Sequence, residues 1–527
     1  MSDRKILVAD KLGPSGLAVL DQAPDVSYDV RTGLTKSELL EVIGEYSAVI
    51  VRSATNIDQD VIEAGDNLLV IGRAGVGVDN IDVGAATRRG VVVTNTPQAN
   101  SIATAEQTMA LMLATARHTA HAHGAVADGI WERSRYTGVE LADKTLGIIG
   151  FGRIGREVAR RARAFAMDVI AFDPYVTEQA ARDQNVTLVE LETLLRRSDF
   201  VTLHCALSTA TENLIDEAAI AMMKPDAILI NAARGGLIDE PALAAALGEG
   251  RLRGAGIDVY SKEPPANGHP LIGLPNVVHT PHLGASTTEA QSDVAEQVVS
   301  QVLDALRGDG IRNSVNFPFR MDKDTAPWLE LATAMGKVQF AMAPSRIERI
   351  EIEARGDGVS DNIRAVATGV LAGVMSGFLP DSVNLVNAPA LAADHGIAVS
   401  QSEGIGSLDY PNMISCRVFW DGGDRAVSGV VFGGIEGRIV QVSKYQLDAK
   451  PRGLVLLMLN NDVPGVIGEV GTLLGTHKVN IAEWRLGRDE VGGRALSFIN
   501  LDNRPGDHVM AELRALPAVE KAMVVEL

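Results

Sequence analysis

Aromatic residues are scarce in this chain of 527 residues, at 4% of the total, and cysteine is scarcer still, with two. Thiols so few and so far apart, Cys205 and Cys416, exclude a disulfide framework and fit a reducing compartment. Long apolar runs are missing as well. Nothing approaches the roughly 20 consecutive apolar residues that a bilayer-spanning helix needs. The first apolar stretch, residues 5–10, is short and ends in polar residues, so it reads as a strand rather than a signal peptide. Positive charge is in deficit: 48 Lys and Arg against 67 Asp and Glu leave a formal net charge of -19. That balance speaks against nucleic acid or an anionic membrane surface as the partner. A soluble, cytoplasmic protein without a metal is the expectation.

What is present is Ala, Val, Leu and Gly in quantity, within a hydrophobic fraction of 46%. Such a mixture suits parallel α/β layers, whose buried strands read as short Val/Ile/Leu runs. The length suggests three or four domains. Apolar runs at 6–9, 48–51, 69–72 and 91–94 alternate with helical patterns such as 36–44, which predicts a parallel sheet with covered faces. A second unit begins at 145–150 and continues through runs near 169–172, 200–203, 227–231 and 255–259. The helical run 287–306 then returns the chain to the first unit. The fold class expected is α/β, with two doubly wound parallel-sheet domains: a split substrate domain (1–98 and 286–316) and an inserted Rossmann domain (99–285). An α/β intervening domain (317–452) follows, with strands read at 347–353 and 429–432. Residues 453–527 show the β-α-β-β-α-β order of a ferredoxin-like unit.

GFGRIG at 150–155 sits between an apolar strand and a helical pattern. In that setting Gly150 permits a tight turn, Gly152 lets a pyrophosphate approach the backbone, and Gly155 lets helix and strand pack closely. The helix N-terminus supplies amides and a favourable dipole. Asp173, at the end of the next strand, is placed to accept hydrogen bonds from a ribose and to favour NAD over NADP. A structural turn with a capping Asp is the plainer alternative, and Arg153 is either a pyrophosphate contact or a solvated arginine.

Three further groups lie at strand ends: NAARGGLID at 231–239, GIDVYSKEPP at 256–265 and PHLGA at 281–285. Hydride transfer from an alcohol carbon needs a base for the hydroxyl proton, and His282 suits that role near neutrality. Glu263 would stabilise the imidazolium. Arg234 would hold a substrate carboxylate and polarise the reacting oxygen. Asp258 is a candidate for the nicotinamide carboxamide. Singly, each could be an ordinary loop residue.

Together with GRAGVGVDN at 72–80 and NTP at 95–97, these groups resemble the D-isomer-specific 2-hydroxyacid dehydrogenases over essentially the whole chain. The resemblance is nearest to the long members that oxidise D-3-phosphoglycerate with NAD, the first step of L-serine synthesis. It implies an active site of Arg234, Glu263 and His282. Cofactor contacts are implied for Val76, Arg153, Ile154, Asp173, Cys205, Ala232, Asp258 and the stretch from His282 through Gly284 to Ala285. Position 76 is often threonine in relatives, so here only backbone could contact the cofactor, and Cys205 is expected as a backbone neighbour. Arg52, Arg73 and Asn100 follow strands or open a helix and could face the cleft, with a phosphate near Arg52. Trp131, Arg133 and Arg135 are expected from a neighbouring subunit of a homotetramer, or as solvated surface.

NNDVPGV at 460–466 and Asn480 resemble the ACT domain, which binds amino acids between paired copies. This implies L-serine as effector, held by Asn460, Asp462 and Asn480. A capping Asp and a turn Asn are the structural alternative, and relatives often carry His or Tyr at 460. The middle segment resembles an allosteric substrate-binding domain; Arg438, Lys444, Lys450 and Arg452 could hold an anion or simply be solvated. Competing functions are another 2-hydroxyacid dehydrogenase, such as a glyoxylate or hydroxypyruvate reductase, and a non-catalytic NAD-sensing protein. A tail used only for assembly is a further alternative.

Overall fold

The computed structural model describes residues 4–319, 321, 324–379, 382–405 and 410–527. Its first sheet is parallel and built from β1 (Arg4–Val8), β2 (Val26–Val30), β3 (Ala48–Val51), β4 (Val70–Arg73) and β5 (Val92–Asn95), in the order β2-β1-β3-β4-β5. Strand β3, AVIV, is buried at every position because helices cover both faces. The edge strand β2, VSYDV, is buried at none, which is why its alternation carries little sequence signal. Arg73 is the last residue of β4 rather than the first after it.

The second sheet is also parallel: β6 (Thr145–Ile149), β7 (Asp168–Phe172), β8 (Thr187–Leu188), β9 (Phe200–Leu203), β10 (Ile228–Asn231), β11 (Gly254–Ile257) and β12 (Val277–His279), in the order β12-β11-β10-β9-β6-β7-β8. Strand order reverses at β6/β9 here and at β1/β3 in the first sheet. In open parallel sheets, the crevice at the carboxyl ends of such strands is where ligands bind. The helix Thr288–Arg307 carries the chain back. Its Val298 and Val302 pack so closely on β4 that a Cβ at Gly72 would lie 2.6 Å from Val302.

The third sheet, β13 (Ile347–Arg355), β14 (Ala398–Gly404), β15 (Met413–Trp420), β16 (Gly423–Phe432), β17 (Glu436–Val442) and β18 (Tyr445–Ala449), is antiparallel except at β13–β14. Two helices, Thr325–Met342 and Ile363–Phe378, pack backbone to backbone above it: a Cβ on Gly373 would sit 2.1 Å from the Thr333 carbonyl. The fourth sheet holds β19 (Leu454–Asn461), β20 (Ile481–Arg488), β21 (Arg494–Leu501) and β22 (Val519–Glu526), in the antiparallel order β20-β21-β19-β22 of a ferredoxin-like unit. Alternation along it is divided between two cores. Leu456, Met458, Ile499 and Leu501 face its own two helices, whereas Val455, Leu457, Leu496 and Phe498 join the core of the preceding domain. Among the described residues no helix is long and apolar enough to cross a membrane.

Candidate active site

Strand β6 ends in the glycine turn. Gly150 has φ +92°, and a Cβ there would meet the backbone of His204 and Cys205 at 2.6 Å, so glycine is required on both counts. Gly155 lies 2.3 Å, by the same measure, from the Gly150 carbonyl. Gly152 differs: nothing lies within 4 Å, and as N-cap of the helix Arg153–Ala164 it leaves the amides there without a side-chain cap. That open, uncapped helix start fits a dinucleotide pyrophosphate. Asp173 follows β7 and accepts the amides of Phe151 (2.8 Å) and Tyr175 (2.9 Å), which ties the glycine turn to the next strand and leaves carboxylate lone pairs for a ribose. Arg153 is exposed and Ile154 half-buried on the first turn of that helix. Cys205 is a half-buried free thiol whose pKa burial pushes up to about 11, so it is unreactive; its amide lies against the glycine turn.

At the ends of β10 and β11 the reacting groups gather. Asn231 is 1% exposed and shapes the turn after β10: its Nδ2 donates to the Arg234 carbonyl (2.8 Å) and its Oδ1 accepts the Ala233 amide. Ala232 is buried there. Gly235 packs onto the loop after β11, where a Cβ would lie 1.8 Å from the Tyr260 carbonyl carbon; the Arg234 and Glu263 loops thus rest on each other. Asp258 is fully buried. It accepts the amides of Leu283 (2.8 Å) and Gly284 (2.9 Å), so it holds the loop from His282 to Ala285 rather than standing free. His282, at φ 53°, is presented by that loop, and its Nδ1 lies 2.6 Å from Glu263 Oε2. Glu263 Oε1 takes the Tyr260 amide. Burial alone would raise the Glu263 pKa. The hydrogen bonds from His282 and Tyr260, with the Arg234 cation nearby, outweigh that and hold it below the ordinary carboxylate value. With Glu263 ionised, the Nδ1 proton points at it and Nε2 is the free base. A cavity of about 440 Å³ opens beside the pair, lined also by Pro264, Pro265, Thr280 and Pro281.

Cations come from both sides of the cleft, Arg52 and Arg73 from the first domain and Arg234 from the second. Arg234 crosses the cleft to Asp79 (Nε to Oδ2, 2.9 Å), and Arg73 donates to the Ala74 carbonyl. A Cβ on Gly75 would collide with the Arg73 guanidinium, and one on Gly77 with that of Arg234. Burial pushes the Arg73 pKa down to about 10, the cations of Arg234 and Arg52 push the same way, and Asp79 and Asp10 oppose them; all five share one charge cluster. Arg73 Nε and Asn100 Oδ1 are buried without partners, as polar groups awaiting a ligand would be. The Val76 carbonyl is taken by Asn95. Arg133 and Arg135 stand apart on an exposed turn, where Arg135 pairs with Glu132; Trp131 beside them is 74% exposed. Asp10, Asp79 and Asn80 are the residues that sequence reasoning did not single out. Their one signal was position: Asp10 lies just past the first strand, and the other two close the glycine-rich 72–80 motif.

In the fourth domain Asn460 is buried and bonded to Ser497, and Asp462 lies 3.5 Å from Arg488. Asn480 bonds Asp502. Strand register separates them: Ile481 pairs with Leu501, which pairs with Leu454, while Asn461 pairs with Arg494 at the far end. Within one chain, therefore, Asn480 and Asp462 lie at opposite ends of the sheet.

A switch-point crevice with an open glycine turn, beside an Arg/Glu/His set, defines an NAD-dependent oxidoreductase of the 2-hydroxyacid dehydrogenase class. Residues 109–284 match the NAD binding domain of D-isomer specific 2-hydroxyacid dehydrogenases, 324–443 the D-3-phosphoglycerate dehydrogenase intervening domain, and 454–518 the ACT domain. The chain is 40% identical over 527 residues to D-3-phosphoglycerate dehydrogenase of Methanocaldococcus jannaschii, covering 99% of this chain and 100% of the relative. It is 38% identical over 530 residues to that of Mycobacterium tuberculosis, covering 100% of both. A glyoxylate reductase from Paecilomyes thermophila superposes with a TM-score of 0.56 at 31% identity, covering 60% of this chain and 99% of that one. A D-lactate dehydrogenase from Aquifex aeolicus, complexed with NAD and lactic acid, gives 0.53 at 26%, covering 58% and 96%. The chain belongs to the D-3-phosphoglycerate dehydrogenase family, in the long form with intervening and ACT domains.

Proposed function

We propose that the chain oxidises D-3-phosphoglycerate to 3-phosphohydroxypyruvate with NAD, as the first step of L-serine synthesis in the cytoplasm. The observation that carries this reading is the 2.6 Å His282–Glu263 pair facing a cleft that holds Arg52, Arg73 and Arg234. When bound at the glycine turn, NAD would accept the hydride. His282 Nε2 takes the hydroxyl proton, and Glu263 stabilises the imidazolium so formed. Arg234 holds the substrate carboxylate and polarises the reacting oxygen, with Arg73 and Asn100 alongside. Arg52 receives the phosphate, and Arg133 and Arg135 approach from a neighbouring subunit of a homotetramer. Residues Val76, Gly150, Gly152, Arg153, Ile154, Gly155, Asp173, Cys205, Ala232, Asp258, Gly284 and Ala285 surround the cofactor. L-serine acts as feedback inhibitor through Asn460, Asp462 and Asn480. We further take the domains as 1–98 with 286–316, then 99–285, 317–452 and 453–527.

The test is NADH formation from NAD with D-3-phosphoglycerate, set against D-lactate and D-glycerate, with and without L-serine. Turnover confined to the phosphorylated acid and suppressed by serine is expected. Preference for an unphosphorylated acid would make the chain a different 2-hydroxyacid dehydrogenase.

A further inference from the structure

The reversal of strand order in the first sheet, between β1 and β3, is occupied by a single carboxylate. Asp10 follows β1 and is 7% exposed. Its Oδ2 accepts the amides of Arg52 (2.6 Å) and Thr55 (3.2 Å), and its Oδ1 accepts the Thr55 hydroxyl (2.7 Å). Asn80 grips the same loop from the other side, donating through Nδ2 to the carbonyls of Arg52 (2.8 Å) and Thr55 (2.6 Å). The backbone N–H and C=O of both residues are thereby taken. Only Ser53 and Ala54, both exposed, remain at the tip. The Arg52 side chain itself is held weakly, by a 3.5 Å contact to the Lys11 carbonyl. So the loop's backbone is fixed while its guanidinium is left available.

We propose that Asp10 and Asn80 are positioning residues that hold the Arg52–Thr55 loop in the shape that receives the substrate's phosphate, and so set the preference for a phosphorylated 2-hydroxy acid. This rests on the substrate reading given above. Burying an anion beneath an anion-binding site makes little electrostatic sense unless its hydrogen bonds matter more than its charge. The two roles predict opposite signs. As a charge, Asp10 opposes the cations of Arg52 and Arg73, so Asp10→Asn would tighten binding of an anionic substrate. As a clamp, it needs two acceptor oxygens facing three donors. An amide keeps one oxygen, a weaker acceptor than a carboxylate's, for the two N–H donors and turns an NH2 toward the Thr55 hydroxyl in place of the present acceptor, so Asp10→Asn would loosen the loop and weaken binding.

The experiment is steady-state NAD reduction by full-length wild type, Asp10→Asn, Asn80→Ala and Arg52→Ala, and the Asp10→Asn/Arg52→Ala double variant. Loss of one hydrogen bond to a charged group corresponds to about a tenfold effect. The KM for D-3-phosphoglycerate should rise about that much in Asp10→Asn and Asn80→Ala, with kcat and the KM for NAD within about twofold. The double variant should bind no more weakly than Arg52→Ala alone. An unchanged or lower KM overturns the proposal, as does a joint fall in kcat and NAD affinity, or an additive double variant. If Asp10→Asn fails to fold, as lost secondary structure by circular dichroism would show, Asn80→Ala, which alters no charge, decides the matter. Wild type that ignores the phosphorylated acid defeats the substrate reading instead, an outcome separate from all of these.

Discussion

The histidine at the centre of the cleft gains its role from its neighbours. A loop imidazole is an indifferent base until one nitrogen is committed, and Glu263 commits Nδ1 at 2.6 Å. Removing the base while leaving the glycine turn intact should separate chemistry from binding. His282→Ala is expected to lower kcat by on the order of 100- to 10,000-fold with NADH affinity nearly unchanged, as checked by fluorescence titration beside the rate assay. A second carboxylate has a pH consequence of its own. Asp489 is held down to about 2 by Lys444, then by the amides of Arg494 and Glu490, from an ordinary value of 3.8. A depressed carboxylate pKa means that its stabilisation is complete above the ordinary value and is lost as the pH falls toward the depressed one. The difference in melting temperature between wild type and Lys444→Ala should be constant near neutrality and shrink only below about pH 4. A constant difference down to pH 3 would remove this pair from the acid response.

Elements differ in how openly the sequence declares them. Strands β3 and β9 were readable to the residue, because a fully buried strand shows as a short, predominantly apolar run between polar flanks. Strand β2 was not, since its apolar face is short: Val26 and Tyr28 pack on the core only in part, and Val30 is exposed. The same divide runs through the site. Arg234, Glu263 and His282 lie in compact motifs at strand ends, whereas Asp10 and Asn80 act on a loop more than twenty residues away and have no local signature. The intervening domain was harder to read because some of its contacts are tertiary and have no local sequence signature. Helix Thr325–Met342 ends against the buried Arg425, which donates to the carbonyls of Gln339 and Met342 and to the Gln339 side chain. A guanidinium there satisfies end carbonyls that no later turn can reach. Arg425→Ala should cost about 2–3 kcal/mol, the scale of hydrogen bonds to a charged group left unmade, seen as a lower denaturant midpoint. Arg425→Lys should recover only part of that loss, because an ammonium lacks the planar fork.

Across the whole molecule, the placement of the proposed effector residues sets a rule for assembly. Asp462 and Asn480 lie at opposite ends of one sheet, so a small amino acid touching both must bridge two copies of the domain. Chains carrying Asp462→Ala and chains carrying Asn480→Ala should each form serine-insensitive oligomers. Mixed oligomers of the two should regain part of the inhibition, because some interfaces combine the intact half of each. Mixtures as insensitive as either parent would mean that the ligand sits within a single chain.

The two central strands of the fourth sheet, β19 and β21, are covered on both faces. Their second side, through Val455, Leu457, Leu496 and Phe498, lies in the core of the domain before it. Cutting the chain at the ACT boundary would therefore strip a lid from a core and leave an adhesive apolar surface on both fragments.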